Sequence, residues 1–85
     1  MFHVSKHAQE QMFRRGITYE TVMEVVQYPD QTIADKEQPT KITYQALINE
    51  NNKTFLIRVF VDTDKQPNVI ITVYKTTKIS KYYES

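Results

Sequence analysis

Imidazole, guanidinium and phenol groups are the reactive side chains this sequence offers. His7 precedes the apolar Ala8 in the opening segment. A neutral imidazole can give or take a proton near pH 7, so His7 is a candidate general acid or base; an ordinary half-exposed helix histidine needs no such role. His3 lies four residues earlier, the spacing of a zinc pair on a helix, but no carboxylate follows at matching spacing and no metal site is assigned. Arg58 interrupts the most apolar stretch of the chain, Thr54 to Val61. An arginine there must snorkel, pair with a carboxylate on a neighbouring strand, or line a site and grip a phosphate bidentately.

Arg14 and Arg15 close the first helical segment, where the helix dipole favours cations. Two adjacent arginines cannot share a face, so one is free to point at the sheet. Later, Tyr74, Lys75, Lys78, Tyr82 and Tyr83 set aromatic rings among cations. Lysines meet phosphates and tyrosine rings stack on unpaired bases, which suits RNA; tyrosine is equally a good strand residue. The single glycine rules out glycine-rich phosphate loops, and the absence of cysteine rules out thiol nucleophiles.

Net charge is only +1, but its distribution is uneven. Residues 1–37 hold four basic and six acidic side chains, a balance of −2; residues 38–85 hold seven and four, a balance of +3. From Lys65 to Lys81 there are four lysines and no acid. Such a stretch suits a phosphate-bearing partner, or equally a lysine-rich edge that blocks aggregation. Eighty-five residues make one domain, 1–85, and without disulfides so short a chain gains from a tight partner or a homo-oligomer. No apolar run approaches the ~20 residues that span a bilayer, and the N-terminus lacks the order of a signal peptide. A cytoplasmic protein with no membrane partner is expected.

The elements that must position these groups follow from period. Ser5 caps a helix over Lys6 to Arg15, and Gly16 ends it in the left-handed region. Ala8 and Met12 form its apolar stripe, with Phe13 widening it. Thr18 caps a second helix, with Tyr19, Val22, Met23, Val25 and Val26 on its apolar face; Pro29 stops it. The period then changes to two. Gln31 to Asp35 is a weak strand; Lys41 to Asn49, Thr54 to Val61 and Val69 to Thr76 are stronger. Phe2 to Val4 reads as a short extended lead-in. Glu50-Asn51-Asn52-Lys53 is a turn in which asparagine supplies positive φ. In the last strand, simple alternation sets Val69, Ile71 and Val73 against Ile70, Thr72 and Tyr74. Lys78 to Ser85 is a short docked helix or a loose end. The expected architecture is α+β, two N-terminal helices packed on a three- to four-stranded antiparallel sheet.

Ser5-Lys6-His7-Ala8, then Arg15-Gly16-Ile17-Thr18, Val22, Val25-Val26 and Pro29, with the strand Val69 to Tyr74, resemble the DUF4258 family. That family is similar to the RelE, ParE and BrnT toxins of bacterial toxin–antitoxin pairs. The resemblance implies a RelE-like fold and a toxin-like, metal-independent endoribonuclease of the mRNA interferase type, needing no cofactor. Its implied partners are RNA, in some members ribosome-associated mRNA, and a cognate antitoxin protein. By motif match it implies His7 as acid or base and Arg15 as phosphate clamp. Arg58 and Tyr74 join them from the residues alone as catalytic candidates, with Arg14, Lys75, Lys78 and Tyr82 as RNA contacts. Family members often carry an arginine four residues after the histidine; here that position is Gln11, which leaves its charge to Arg14 or Lys75. The alternative is a non-catalytic RNA- or protein-binding module using the open sheet face.

Overall fold

The computed structural model describes residues 2–84. The elements run β1 (Phe2–Val4), α1 (Lys6–Arg15), α2 (Tyr19–Gln27), β2 (Gln31–Ala34), β3 (Lys41–Glu50), β4 (Lys53–Asp62), β5 (Asn68–Thr76) and α3 (Ile79–Tyr82). Both long helices begin on a side-chain cap. The Ser5 hydroxyl accepts the Ala8 N–H and the Thr18 hydroxyl accepts the Thr21 N–H, each at 3.1 Å. Gly16, at φ 67°, closes α1, and its N–H returns to the carbonyls of Met12 and Phe13. Asn51 and Asn52, at φ 53° and 64°, make the two-residue turn between β3 and β4.

The fold is α+β, but its sheet is five-stranded and mixed, in the order β1-β5-β4-β3-β2. The three antiparallel pairings are joined by a parallel one, Phe2 to Val4 beside Asn68 to Ile70. This corrects the expected three- to four-stranded antiparallel sheet. Three residues carry no information about a partner 66 residues away; Phe2 and Val4 become a strand because α1, lying over β5, returns the chain to that edge. The end of the chain is helical over Ile79–Tyr82, which decides between the two readings of that segment.

Helices α1 and α2 cover one face of the sheet, α1 over β5 and α2 over β3 and β4. Between them lies a cluster of small aliphatic side chains, among them Ala8, Val22, Val25, Val59, Ile70 and Val73. Burial of this apolar surface is the main stabilising term of the fold. In β5 the alternation breaks. Phe60 stands opposite Thr72 and Val61 opposite Ile70, so Ile71 is passed over as a bulge, and Ile70 shares the helix-covered face with Val73. Phe13 does not widen the α1 stripe; it is 92% exposed. One residue past Met12 turns the helix by about 100°, and that is enough to point it at solvent.

Candidate functional site

Alternation along β4 sends Ile57, Val59 and Val61 to the helices and Leu56, Arg58 and Phe60 to the opposite face of the sheet. Register does the rest. Arg58 stands opposite Gln45 of β3 and Tyr74 of β5, and Gln45 stands opposite Gln31 of β2. One transverse row, Gln31–Gln45–Arg58–Tyr74, therefore crosses four strands, and α3 with the residues after it docks on this row.

The row is held by directed bonds. Arg58 Nε donates to Gln45 Oε1 at 2.8 Å. Gln45 Nε2 donates to Gln31 Oε1 at 2.6 Å and to the Tyr82 carbonyl at 3.1 Å. Gln31 in turn accepts the Glu84 N–H at 3.0 Å and donates to the Glu84 carbonyl. Gln45 is fully buried, so these partners replace the water it has lost. The Arg58 guanidinium lies 4.4 Å from the centre of the Tyr82 ring and 5.2 Å from that of Phe60. Burial pulls Arg58 below its usual range, opposed by Tyr82, Tyr74 and Glu84; an arginine so placed still keeps its charge.

Tyr74 is the meeting point of two elements. The Tyr82 ring packs edge-on against it, centres 5.9 Å apart. From the end of α1, the Arg15 guanidinium lies 5.6 Å from the Tyr74 ring centre, and its Nη1 donates to the Lys75 carbonyl at 3.3 Å. The polar side chains of Tyr82, first, and of Thr76 draw the Tyr74 phenol below the ordinary tyrosine range; burial, next in size, opposes them, and the charges of Arg15 and Lys78 add smaller downward pulls.

Arg15 is held there by the way α1 lies along β5. Strand β1 covers the edge of β5 only as far as Ile70. Past it, the Ser5 hydroxyl donates to the Ile71 carbonyl and the Gln11 Oε1 accepts the Val73 N–H, both at 3.0 Å, before Arg15 reaches Lys75. Side chains of α1 thus stand in for a neighbouring strand and close an edge that would otherwise be open to another chain. Gln11, in place of a cation, serves this purpose.

The structure brings Arg15, Arg58, Tyr74 and Tyr82 together, with Lys78 close enough to act on the Tyr74 phenol. Three other candidates stand elsewhere. His7 is exposed on α1, eight residues and about 12 Å along the axis from Arg15. Lys75, one residue from Tyr74, faces the other side of the sheet, where its Nζ lies 2.7 Å from Glu50 Oε1 and over the Phe55 ring. Arg14 is exposed on the outer side of α1 with Lys6, Gln9, Glu10 and Phe13. His3 lies in β1 and His7 in α1, so they do not form a pair on one helix. No cluster of three histidine, aspartate or glutamate side chains fit for a metal occurs among the described residues, nor any helix long and apolar enough to cross a membrane. Sequence reasoning missed Gln31, Gln45 and Thr76. The available signal was a glutamine in mid-strand, in alternation with Thr43 and Leu47, but its importance depends on a register that the residues do not spell out.

Two cations beside a phenol of lowered pKa can hold a phosphate and accept a proton from a nearby hydroxyl. The family described as a domain of unknown function, DUF4258, matches residues 4–75, a span that includes Arg15, Arg58 and Tyr74 but ends before α3. No curated protein and no solved structure matches the chain.

Proposed function

This chain belongs to the DUF4258 family, and on that premise we propose that it is a metal-independent endoribonuclease of the RelE class, neutralised in the cytoplasm by a small antitoxin. The observation that carries the reading is the meeting of Arg15 with Tyr74 beside Arg58. In the proposed reaction the Tyr74 phenolate takes the proton of a ribose 2′-hydroxyl. That oxygen attacks the adjacent phosphorus, and the bond to the 5′-oxygen breaks, leaving a 2′,3′-cyclic phosphate. The departing oxygen takes a proton from the Lys78 ammonium or from water. Arg15 and Arg58 balance the charge that builds on the phosphoryl oxygens, and the Tyr82 ring gives an unpaired base a stacking surface. His7, remote from the phenol, has no part in the proton transfers.

Purified protein incubated with single-stranded RNA in EDTA tests this. Cleavage to cyclic-phosphate ends is expected, and Tyr74→Phe should slow it by about 100-fold or more, the usual yield of a positioned base. Cleavage that needs a divalent cation, or that persists in Tyr74→Phe, rejects the assignment.

One observation favours the second reading, a non-catalytic RNA-binding module. Arg58 is already bonded to Gln45 and stacked on Tyr82, which leaves Arg15, Tyr74 and Lys78 as the open contacts. Salt-sensitive RNA binding with no cleavage products would identify that case.

A further inference from the structure

The helix layer carries aromatic side chains that the fold leaves in water. Phe13 is 92% exposed, Tyr28 76% and Tyr19 51%. They are not scattered. Phe13 sits in an open hollow along α1 with Lys6, Gln9, Glu10 and Arg14. Tyr19, Met23 and Tyr28 line another along α2 with Glu20 and Glu24. A third, over β1, is lined by Gln9, Met12 and Tyr19 and so joins the first two into one surface. The charges on its two ends are opposite. On α1, Arg15 is turned away to Tyr74, and Lys6 and Arg14 against Glu10 leave this surface a balance of +1; α2 holds Glu20 and Glu24 and no cation, a balance of −2.

We propose that this surface docks a second copy of the chain, related by a two-fold axis, with α1 of each copy against α2 of the other. A two-fold interface must be complementary to itself, because the same patch is used from both sides. A basic helix and an acidic helix lying next to each other on one layer meet that condition. In this pairing Lys6 and Arg14 would meet Glu20 and Glu24, twice, and each Phe13 would fill the Tyr19, Met23 and Tyr28 hollow of the other copy, an aromatic anchor ringed by charge. A standard interface needs about 800 Å² per partner, a small part of the 5822 Å² surface and within the reach of one broad face of a molecule 38 × 29 × 19 Å. The Gln31–Gln45–Arg58–Tyr74 row lies on the opposite face of the sheet. The dimer would leave it open, and the proposal stands or falls independently of any activity on RNA.

Sedimentation velocity over a dilution series of the full chain tests it. The mass should rise from monomer to dimer with concentration, and added salt should weaken the association. Phe13→Glu should weaken it by at least about tenfold, equivalent to roughly 1.4 kcal/mol. Because Phe13 is exposed, the fold should survive, which circular dichroism verifies. Reversing α1 (Lys6→Glu with Arg14→Glu) or α2 (Glu20→Lys with Glu24→Lys) should each weaken the dimer, and combining all four should restore it. A monomer at every concentration would overturn the proposal. Association untouched by Phe13→Glu and by both reversals, or reversals that fail to rescue one another, would overturn the proposed pairing.

Discussion

The two faces of the sheet are built from opposite materials. Under α1 and α2 lies a dry layer of valine, isoleucine and alanine whose cohesion is non-directional. Under α3 lies a row of two glutamines, an arginine and a tyrosine, held by bonds that each need one partner at one distance. The first face tolerates changes of shape that keep its volume; the second tolerates almost no change of partner. A face closed by a few bonds is also more easily opened than one closed by two helices. That difference suits the first to holding the fold and the second to meeting a ligand.

The comparison can be broken from either side. The largest effect is expected on the dry face. Ile70 is fully buried there, and Ile70→Ala should lower stability by about 2–5 kcal/mol through lost burial and a residual cavity, read from the urea midpoint. A loss below 1 kcal/mol would mean that this layer is not where the stability resides. Next comes the polar row. Gln45→Ala takes away the acceptor of Arg58 Nε and the donor to Gln31 and Tyr82, and should cost about 1–3 kcal/mol. It should also free α3, visible as faster amide exchange over residues 79–84, while α1 and α2 stay protected.

A smaller effect concerns proton affinity. The folded Tyr74 phenol lies below the ordinary tyrosine value of about 10. A group whose folded pKa is depressed adds stability above its unfolded pKa and loses it as pH falls through the folded one. Tyr74 therefore favours the folded state on the alkaline side, and that contribution fades as pH falls through its folded pKa. Arg15→Gln should move the phenol titration upward, towards the value in Tyr74 of an unfolded chain, as followed by near-ultraviolet absorbance. An unmoved titration would separate Arg15 from Tyr74. The smallest change should come from Lys75→Met. The Lys75–Glu50 pair is partly open to solvent, and its loss should cost under about 1 kcal/mol. RNA cleavage by the proposed reaction should survive it, because Lys75 faces the helix side.

Much of this was legible. Ser5, Gly16, Thr18 and Pro29 mark the helix ends because caps, left-handed turns and proline act within a few residues. Asn51-Asn52 marks the hairpin for the same reason. Arg58 could be placed on the face away from Val59 by alternation alone. What was not legible depended on partners distant in the chain. Phe2 to Val4 reads as extended from its own residues, but nothing in them tells that it pairs in parallel with Asn68 to Ile70. The bulge at Ile71 inverts the phase of half a strand, and Gln45 is an ordinary strand glutamine until Arg58 and the Tyr82 carbonyl converge on it.

By itself the sequence determined the kinds and order of the elements from α1 to β5, the ends of both long helices, and, in β4, which side chains share a face. These are set by φ and ψ preferences and by periods of 3.6 and 2, all of short range. Only the tertiary structure decided which groups meet: that Arg15 reaches Tyr74 while His7 does not, that Lys75 turns from the row to Glu50, and that the end of the chain closes over Arg58. The reason is that register and helix docking are fixed by the packing of the whole core, and a shift of one residue sends a side chain to the opposite face.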